Sequence, residues 1–125
     1  MSPVNEPRSV TELCRYKVRG SFAAADVADR FVAWMQEEHG AELLAAPGCM
    51  EFRVYRPSAC LVDAEYLFAS KSDLESYLSS QAPALRAKSR ARFPETVADF
   101  TREVAPLVAA GLRPDKPADP RPVDR

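Results

Sequence analysis

The chain reads as an α+β domain of ferredoxin-like β-α-β-β-α-β order, with a four-stranded antiparallel sheet and its helices on one face. Three observations predict this. Four segments alternate apolar and polar residues with the two-residue period of a strand. Two others carry apolar residues at helical spacing. Their sequence of strand, helix, hairpin, helix, strand is that of the split β-α-β motif, and right-handed crossovers then give the strand order 4-1-3-2.

The first strand is ELCRYKVRG, where Leu13, Arg15, Lys17 and Arg19 oppose Cys14, Tyr16 and Val18. Ser21 is placed to cap the following helix, along which Val27, Phe31, Trp34 and Met35 recur at i, i+4, i+7 and i+8. Gly40 suits a C′ position, which ends this helix near His39. AELLAA then adds one turn before Pro47-Gly48 stops it. The second strand, CMEFRVYRP, sets Met50, Phe52 and Val54 against Glu51, Arg53 and Tyr55. Pro57-Ser58-Ala59 turns the chain, and CLVDAEYLFAS returns with Val62, Ala64, Tyr66 and Phe68 opposing Leu61, Asp63, Glu65 and Leu67. Two alternating runs around so short a break form a hairpin. Ser70 or Ser72 caps the next helix, with Asp73 or Glu75 as the return half of a capping box. Leu74, Tyr77 and Leu78 form its buried stripe, and Pro83 opens a continuation through Leu85 to Phe93. The fourth strand, TVADFTREVA, sets Ala98, Phe100, Arg102 and Val104 against Val97, Asp99, Thr101 and Glu103.

A chain of 125 residues has room for one domain with a sufficient core. Residues 1–11 read as a flexible arm, 12–105 as the ferredoxin-like domain and 106–125 as a proline-rich, mostly disordered tail in which PLVAAGL docks as one helical turn. The net charge of −1 supplies no global field for nucleic acid or an anionic membrane. No segment approaches the roughly 18 apolar residues of a membrane span. The N-terminus lacks an apolar signal core, so the default expectation is cytoplasmic. Cys14, Cys49 and Cys60 have no C-x-x-C spacing and His39 stands apart from them, so they read as reduced core thiols and no metal site is expected.

With helices over one face, that face receives Tyr16, Val18, Phe52, Val54, Tyr66, Phe68 and Phe100. The other displays Arg15, Lys17, Arg19, Glu51, Arg53, Tyr55, Asp63, Glu65, Leu67, Thr101 and Glu103. The cations of the first strand face acids on both flanking strands, a stable arrangement even when solvated. The order, together with "VAWMQEEH", "LLAAPGC", "YLFASKSDLESYLSSQAPALR" and "RF", resembles the dimeric α/β-barrel superfamily. Within it the chain is most similar to a small bacterial family of unknown function. The shared features are Trp34-x(4)-His39, Pro47-Gly48, and the helix of Ser70, Leu74, Tyr77 and Leu78, and the match spans residues 12–105. The resemblance implies a homodimer whose sheets face each other across a two-fold axis and enclose a cavity. Its relatives include cofactor-independent monooxygenases, polyketide cyclases, haem-degrading enzymes and effector-binding modules. The asparagine, tryptophan and histidine pattern of the haem degraders finds no match here, and no cofactor is expected.

His39 is the one side chain with an ordinary pKa near neutrality, hence the candidate general acid or base. The competing reading is a helix C-terminal cap, where the macrodipole favours the imidazolium. Trp34 is a core residue or a stacking surface for a ligand. Arg15, Lys17, Arg53 and Tyr55 on the open face suit a small polar or aromatic anion. The run Arg86, Lys88, Arg90, Arg92 splits onto adjoining helix faces and reads as a solvated surface rather than a nucleic-acid footprint. The expectation is thus a homodimer that binds a small metabolite, acting without cofactor as a cyclase, isomerase or monooxygenase. The alternative is a non-catalytic ligand-binding or protein-interaction module.

Overall fold

The computed structural model describes residues 12–111, 113 and 114. The arm at residues 1–11 and nearly all of the tail beyond Gly111 lie outside the described residues. The elements are β1 (Cys14–Phe22), α1 (Ala25–Trp34), α2 (Gly40–Leu44), β2 (Cys49–Ser58), β3 (Leu61–Phe68), α3 (Lys71–Ser80), α4 (Ala82–Arg92) and β4 (Ala98–Pro106). Every strand pairing is antiparallel, and the order β2-β3-β1-β4 is the expected 4-1-3-2 viewed from the opposite edge.

Strand alternation delivers Cys14, Tyr16, Phe22, Val62, Ala64, Tyr66, Phe68 and Ala98 to one face, where they are buried against Val27, Phe31, Trp34, Met35, Leu43, Leu74, Tyr77 and Phe93. Each large apolar side chain so buried contributes about 1.5–3 kcal/mol. Phe31 is the hub, with the rings of Phe22, Trp34, Phe93 and Phe100 between 5.1 and 6.1 Å from its own. Edge-to-face and tilted contacts of this kind suit the ring quadrupoles. Arg56 fastens the hairpin tip to α1 by donating to Asp29 Oδ1 at 2.6 Å and to the Ala25 carbonyl at 3.1 Å.

Several local expectations are corrected. Ser21 does not cap α1. It stays in β1, paired with Leu61 and Asp99, so that Phe22 can reach the core. The N-cap is Ala24, extended and without a side-chain bond. The helix does not end near His39 either, because Gly40 is helical (φ −59, ψ −42) and not a C′ residue. The chain runs from α1 through a π-turn, Met35–His39, into α2, with the Gly40 N–H donating to the Met35 carbonyl. Glycine is required there for space: a Cβ would stand 2.4 Å from Phe52 Cζ and 2.7 Å from the Met35 oxygen. The glycine used for a positive φ is Gly48, at +87. β2 extends through Ser58, which moves the turn to Ala59-Cys60. A register shift beside Cys49 leaves Met50 exposed. Of the two serines offered as a cap for α3, Ser70 serves, accepting from the Asp73 N–H at 3.0 Å. The described part of PLVAAGL, residues 106–111, forms no helical turn: β4 continues to Pro106 and the Leu107 N–H donates to the Leu13 carbonyl at 2.9 Å, so the sheet supplies its partner. The cysteines are free thiols, Cys14 buried and the others half-buried.

Candidate functional site

The strands place the charged side chains on the open face in three rows. Read from β4 through β1 and β3 to β2, the first row is Ala105, Arg15, Leu67, Glu51. The second is Glu103, Lys17, Glu65, Arg53, and the third is Thr101, Arg19, Asp63, Tyr55. Arg19 grips Asp63 with both arms, at 2.7 and 2.8 Å. That grip, opposed by burial of Asp63, holds its carboxyl below the usual carboxylate range. Arg15 Nη2 donates to Glu103 Oε2 at 3.3 Å, and Arg53 Nε to Glu51 Oε2 at 3.2 Å. Arg15 Nε is shut off from solvent and has no acceptor among the described residues.

A cavity of about 450 Å³ lies at the first-row end of this face. Arg15, Glu51, Arg53, Tyr55, Glu65 and Leu67 form its floor, and the segment from Ala105 to Ala109 forms one wall. Of the open-face residues singled out from sequence, Arg15, Arg53 and Tyr55 therefore meet at one cavity. Lys17 does not line it: its Nζ lies 3.9 Å from Glu103 Oε1, beside a separate groove shared with Arg19 and Thr101. The wall from Leu107 to Ala109 was not foreseen, because the same residues had been assigned to a docked helical turn.

His39 and Trp34 stand on the opposite side of the sheet. Their rings stack with centroids 4.2 Å apart and planes 9° from parallel. His39 Nδ1 lies 3.0 Å from Glu42 Oε1, which makes Nδ1 the protonated nitrogen when the imidazole is neutral. Burial lowers the His39 pKa, outweighing the opposite pull of Glu42. The reading of His39 as a charged helix cap is therefore corrected: it sits within a continuing helix and is held neutral. Glu42 is itself bonded by Lys88; against burial, the hydrogen bonds from Lys88 and His39 hold its carboxyl low. Sequence reasoning missed Glu42, although His-x-x-Glu is the spacing at which helical side chains meet. His39 edges a cavity of only about 30 Å³ beside Tyr16, Tyr66 and Tyr77. The phenols of Tyr66 and Tyr77 are raised, chiefly by burial, and stay neutral. Trp34 Nε1 is buried and unpartnered, and the Arg92 guanidinium lies 5.8 Å over the indole.

The basic run of α4 is tethered, with Arg86, Lys88 and Arg92 exposed and Arg90 half-buried. Lys88 and Arg92 pair with Glu42 and Glu38, Arg86 donates to Tyr16 Oη at 3.4 Å, and Arg90 donates to the Phe93 and Ala98 carbonyls. Among the described residues, no three His, Cys, Asp or Glu side chains converge as a metal set, and no helix is long and apolar enough to cross a membrane.

This architecture is that of a ferredoxin-like α+β protein, and solved structures of the class share it. A monooxygenase of Streptomyces coelicolor, the product of ActVA-Orf6, solved with nanaomycin D, superposes with a TM-score of 0.65 at 12% identity over 90% of this chain and 99% of its own. A dimeric ferredoxin-like protein from an uncultured marine organism gives 0.65 at 12% identity, over 80% and 99%. SnoaB, a cofactor-independent oxygenase from Streptomyces nogalater, gives 0.59 at 11%, over 83% and 99%. At these identities the likeness is one of fold. No curated protein matches the sequence. The chain belongs to the family described as a domain of unknown function, DUF4286, whose model matches residues 22–107.

Proposed function

We propose that this protein is a homodimer that binds a small molecule against the open face of its sheet, and that it binds rather than transforms its ligand. The observation that carries this reading is the cavity of about 450 Å³ over Arg15, Arg53, Tyr55 and Leu67. Metabolite pockets run from about 300 to 1,000 Å³ and combine an apolar surface with a few convergent polar groups. Leu67, Leu107 and Val108 provide the apolar surface here, and the two guanidiniums provide donors for a carboxylate, sulfonate or enolate. A small molecule with an apolar body and an anionic end fits that combination. A second copy laid over the open face would roof the cavity, and one neighbour of the same fold is described as dimeric.

Binding is preferred to catalysis because His39, the side chain best suited to move protons near neutrality, is separated from this cavity by the sheet itself. The cavity that His39 does reach, about 30 Å³, has room for a water but not for a metabolite. One observation supports a second reading, proton transfer in the interior: a carboxylate-oriented histidine with its other nitrogen free to accept. Turnover lost in His39→Gln but retained in Arg53→Ala would favour that reading over the first.

The test is a native mass spectrum of protein purified from its own host, followed by titration with the fluorescent aromatic sulfonate 8-anilino-1-naphthalenesulfonate. The expected results are a dimer and a probe signal weakened by Arg53→Ala and Arg15→Ala. A monomer, or probe affinity unchanged in both variants, would overturn the reading.

A further inference from the structure

We infer that the two copies pair about a two-fold axis running along the strands, between β1 and β3, and that their cavities merge into one chamber built from both chains. This rests on the proposed pairing through the open face and adds its geometry. The argument is the order of charge across the rows. The second row reads acid, base, acid, base: Glu103, Lys17, Glu65, Arg53. A two-fold axis along the strands lays this row over its own reverse. Lys17 then faces the partner's Glu65, and Glu103 faces the partner's Arg53, so every contact joins opposite charges. In the third row Arg19 meets the partner's Asp63 in the same way.

The other face-to-face arrangement has its axis across the strands. It lays each strand over its own copy, sets Lys17 on the partner's Lys17 and Glu65 on the partner's Glu65, and brings Arg15 over the partner's Arg19. Like charges in opposition select against it. Lys17 and Glu65 are the side chains available for new pairs, since Arg19 already grips Asp63, Arg15 bonds Glu103 and Arg53 bonds Glu51 within one chain. Within one chain Lys17 reaches its acid at only 3.9 Å, and among the described residues Glu65 has no ion pair.

The choice of axis decides where the ligand sites lie. With the axis along the strands, row faces row, so the two first-row ends coincide at one end of the dimer. Arg15, with its buried and unsatisfied Nε, arrives over the partner's Leu67, and each cavity becomes the roof of the other. An axis across the strands would instead put the two cavities at opposite ends.

The experiment uses the full chain with Cys49 and Cys60 replaced by serine, since Cys14 is already buried. Glu103→Cys and Arg53→Cys are made separately in that background: with the axis along the strands each lies opposite the other and about three strand spacings, roughly 14 Å, to the side of its own copy. Packed sheets lie about 10 Å apart, beyond the reach of a disulfide, so a short bis-maleimide is the cross-linker. After subunit exchange, the equimolar mixture is expected to give a cross-linked dimer that contains one chain of each kind, with only background in either variant alone. Glu103→Cys linking to itself would overturn the inference and leave the pairing intact, as would a dimer by sedimentation that links in neither sample. A monomer by sedimentation would overturn both. Charge reversal gives an independent readout. Lys17→Glu should weaken the dimer and Lys17→Glu with Glu65→Lys should restore it, whereas indifference to the single reversal would point to the axis across the strands.

Discussion

Gly40 sets the position of His39, and its replacement separates two accounts of the residue. In the fold, Gly40 is helical and tightly enclosed: a Cβ would meet two ring carbons of Phe52 at 2.4 and 2.6 Å and the Met35 carbonyl oxygen at 2.7 Å. Gly40→Ala gains about 1 kcal/mol from helix propensity. Against this stands overpacking, which costs about 1–3 kcal/mol. The Phe52 ring can swing aside because it is only half-buried, but the carbonyl belongs to the π-turn and cannot. The cost therefore falls near the upper bound, and the net loss should be about 1–2 kcal/mol, or roughly 4–10 °C in Tm. Gly40→Asn should lose more, since it puts three more heavy atoms than alanine into the same enclosure and propagates helix less well. A C′ glycine behaves in the opposite order, because asparagine is the usual substitute there and alanine is not. Guanidinium denaturation followed by the fluorescence of Trp34, the one tryptophan of the chain, measures both variants. Asparagine tolerated better than alanine, or alanine without effect, would refute the reasoning.

Two further outcomes follow from the side chains around the interior cavity. Burial holds the folded pKa of His39 below its ordinary 6.5, so the unfolded chain takes the proton more readily. The stability His39 contributes is whole above that pH and is lost as the pH falls toward the folded pKa. A Tm series should therefore decline on acidification through this window and decline less in His39→Gln; stability rising there would contradict the burial argument. Arg90 bridges the Phe93 and Ala98 carbonyls at 3.1 and 2.8 Å and lies 5.0 Å over the Phe100 ring. Arg90→Ala should cost about 1–3 kcal/mol in chemical denaturation, against about 0.5 kcal/mol or less for Arg92→Ala, whose ion pair is exposed.

The fold was legible because it depends on periodicity. β1 alternates cleanly from Cys14 to Arg19 and β3 from Val62 to Tyr66, and the register that sets Lys17 opposite Glu65 follows once the strand order is known. Boundaries that depend on tertiary contact were not legible. Ser21 has the chemistry of a cap, yet sheet pairing on both sides outweighs one hydrogen bond at a helix end. Gly40 has the chemistry of a helix stop, and only the Phe52 ring, twelve residues on in sequence, reveals it as a space requirement. Misplacing that boundary also hid Glu42, because a helix thought to end at His39 offers no i+3 neighbour.

The candidate site was a different case, because the pattern already held enough to divide it. Alternation in β1 and β2 sends Arg15 and Arg53 to the face that Tyr16 and Phe52 avoid, and the helices can cover only the apolar face. A histidine and a tryptophan carried on the first helix must therefore lie across the sheet from those cations. A sheet packed on one side leaves no gap through which their side chains could meet. The candidate site residues His39 and Trp34 on one hand, and Arg15, Arg53 and Tyr55 on the other, are thus divided by the same period-two rule that assigns the faces. What the pattern could not supply was depth. The side of His39 facing the sheet closes to about 30 Å³ because Tyr16, Tyr66 and Tyr77 fill the space, whereas the open side keeps about 450 Å³ because no helix covers it. The proposal of ligand binding at the open face rests on that difference in volume, and the division of the residues follows from strand geometry alone.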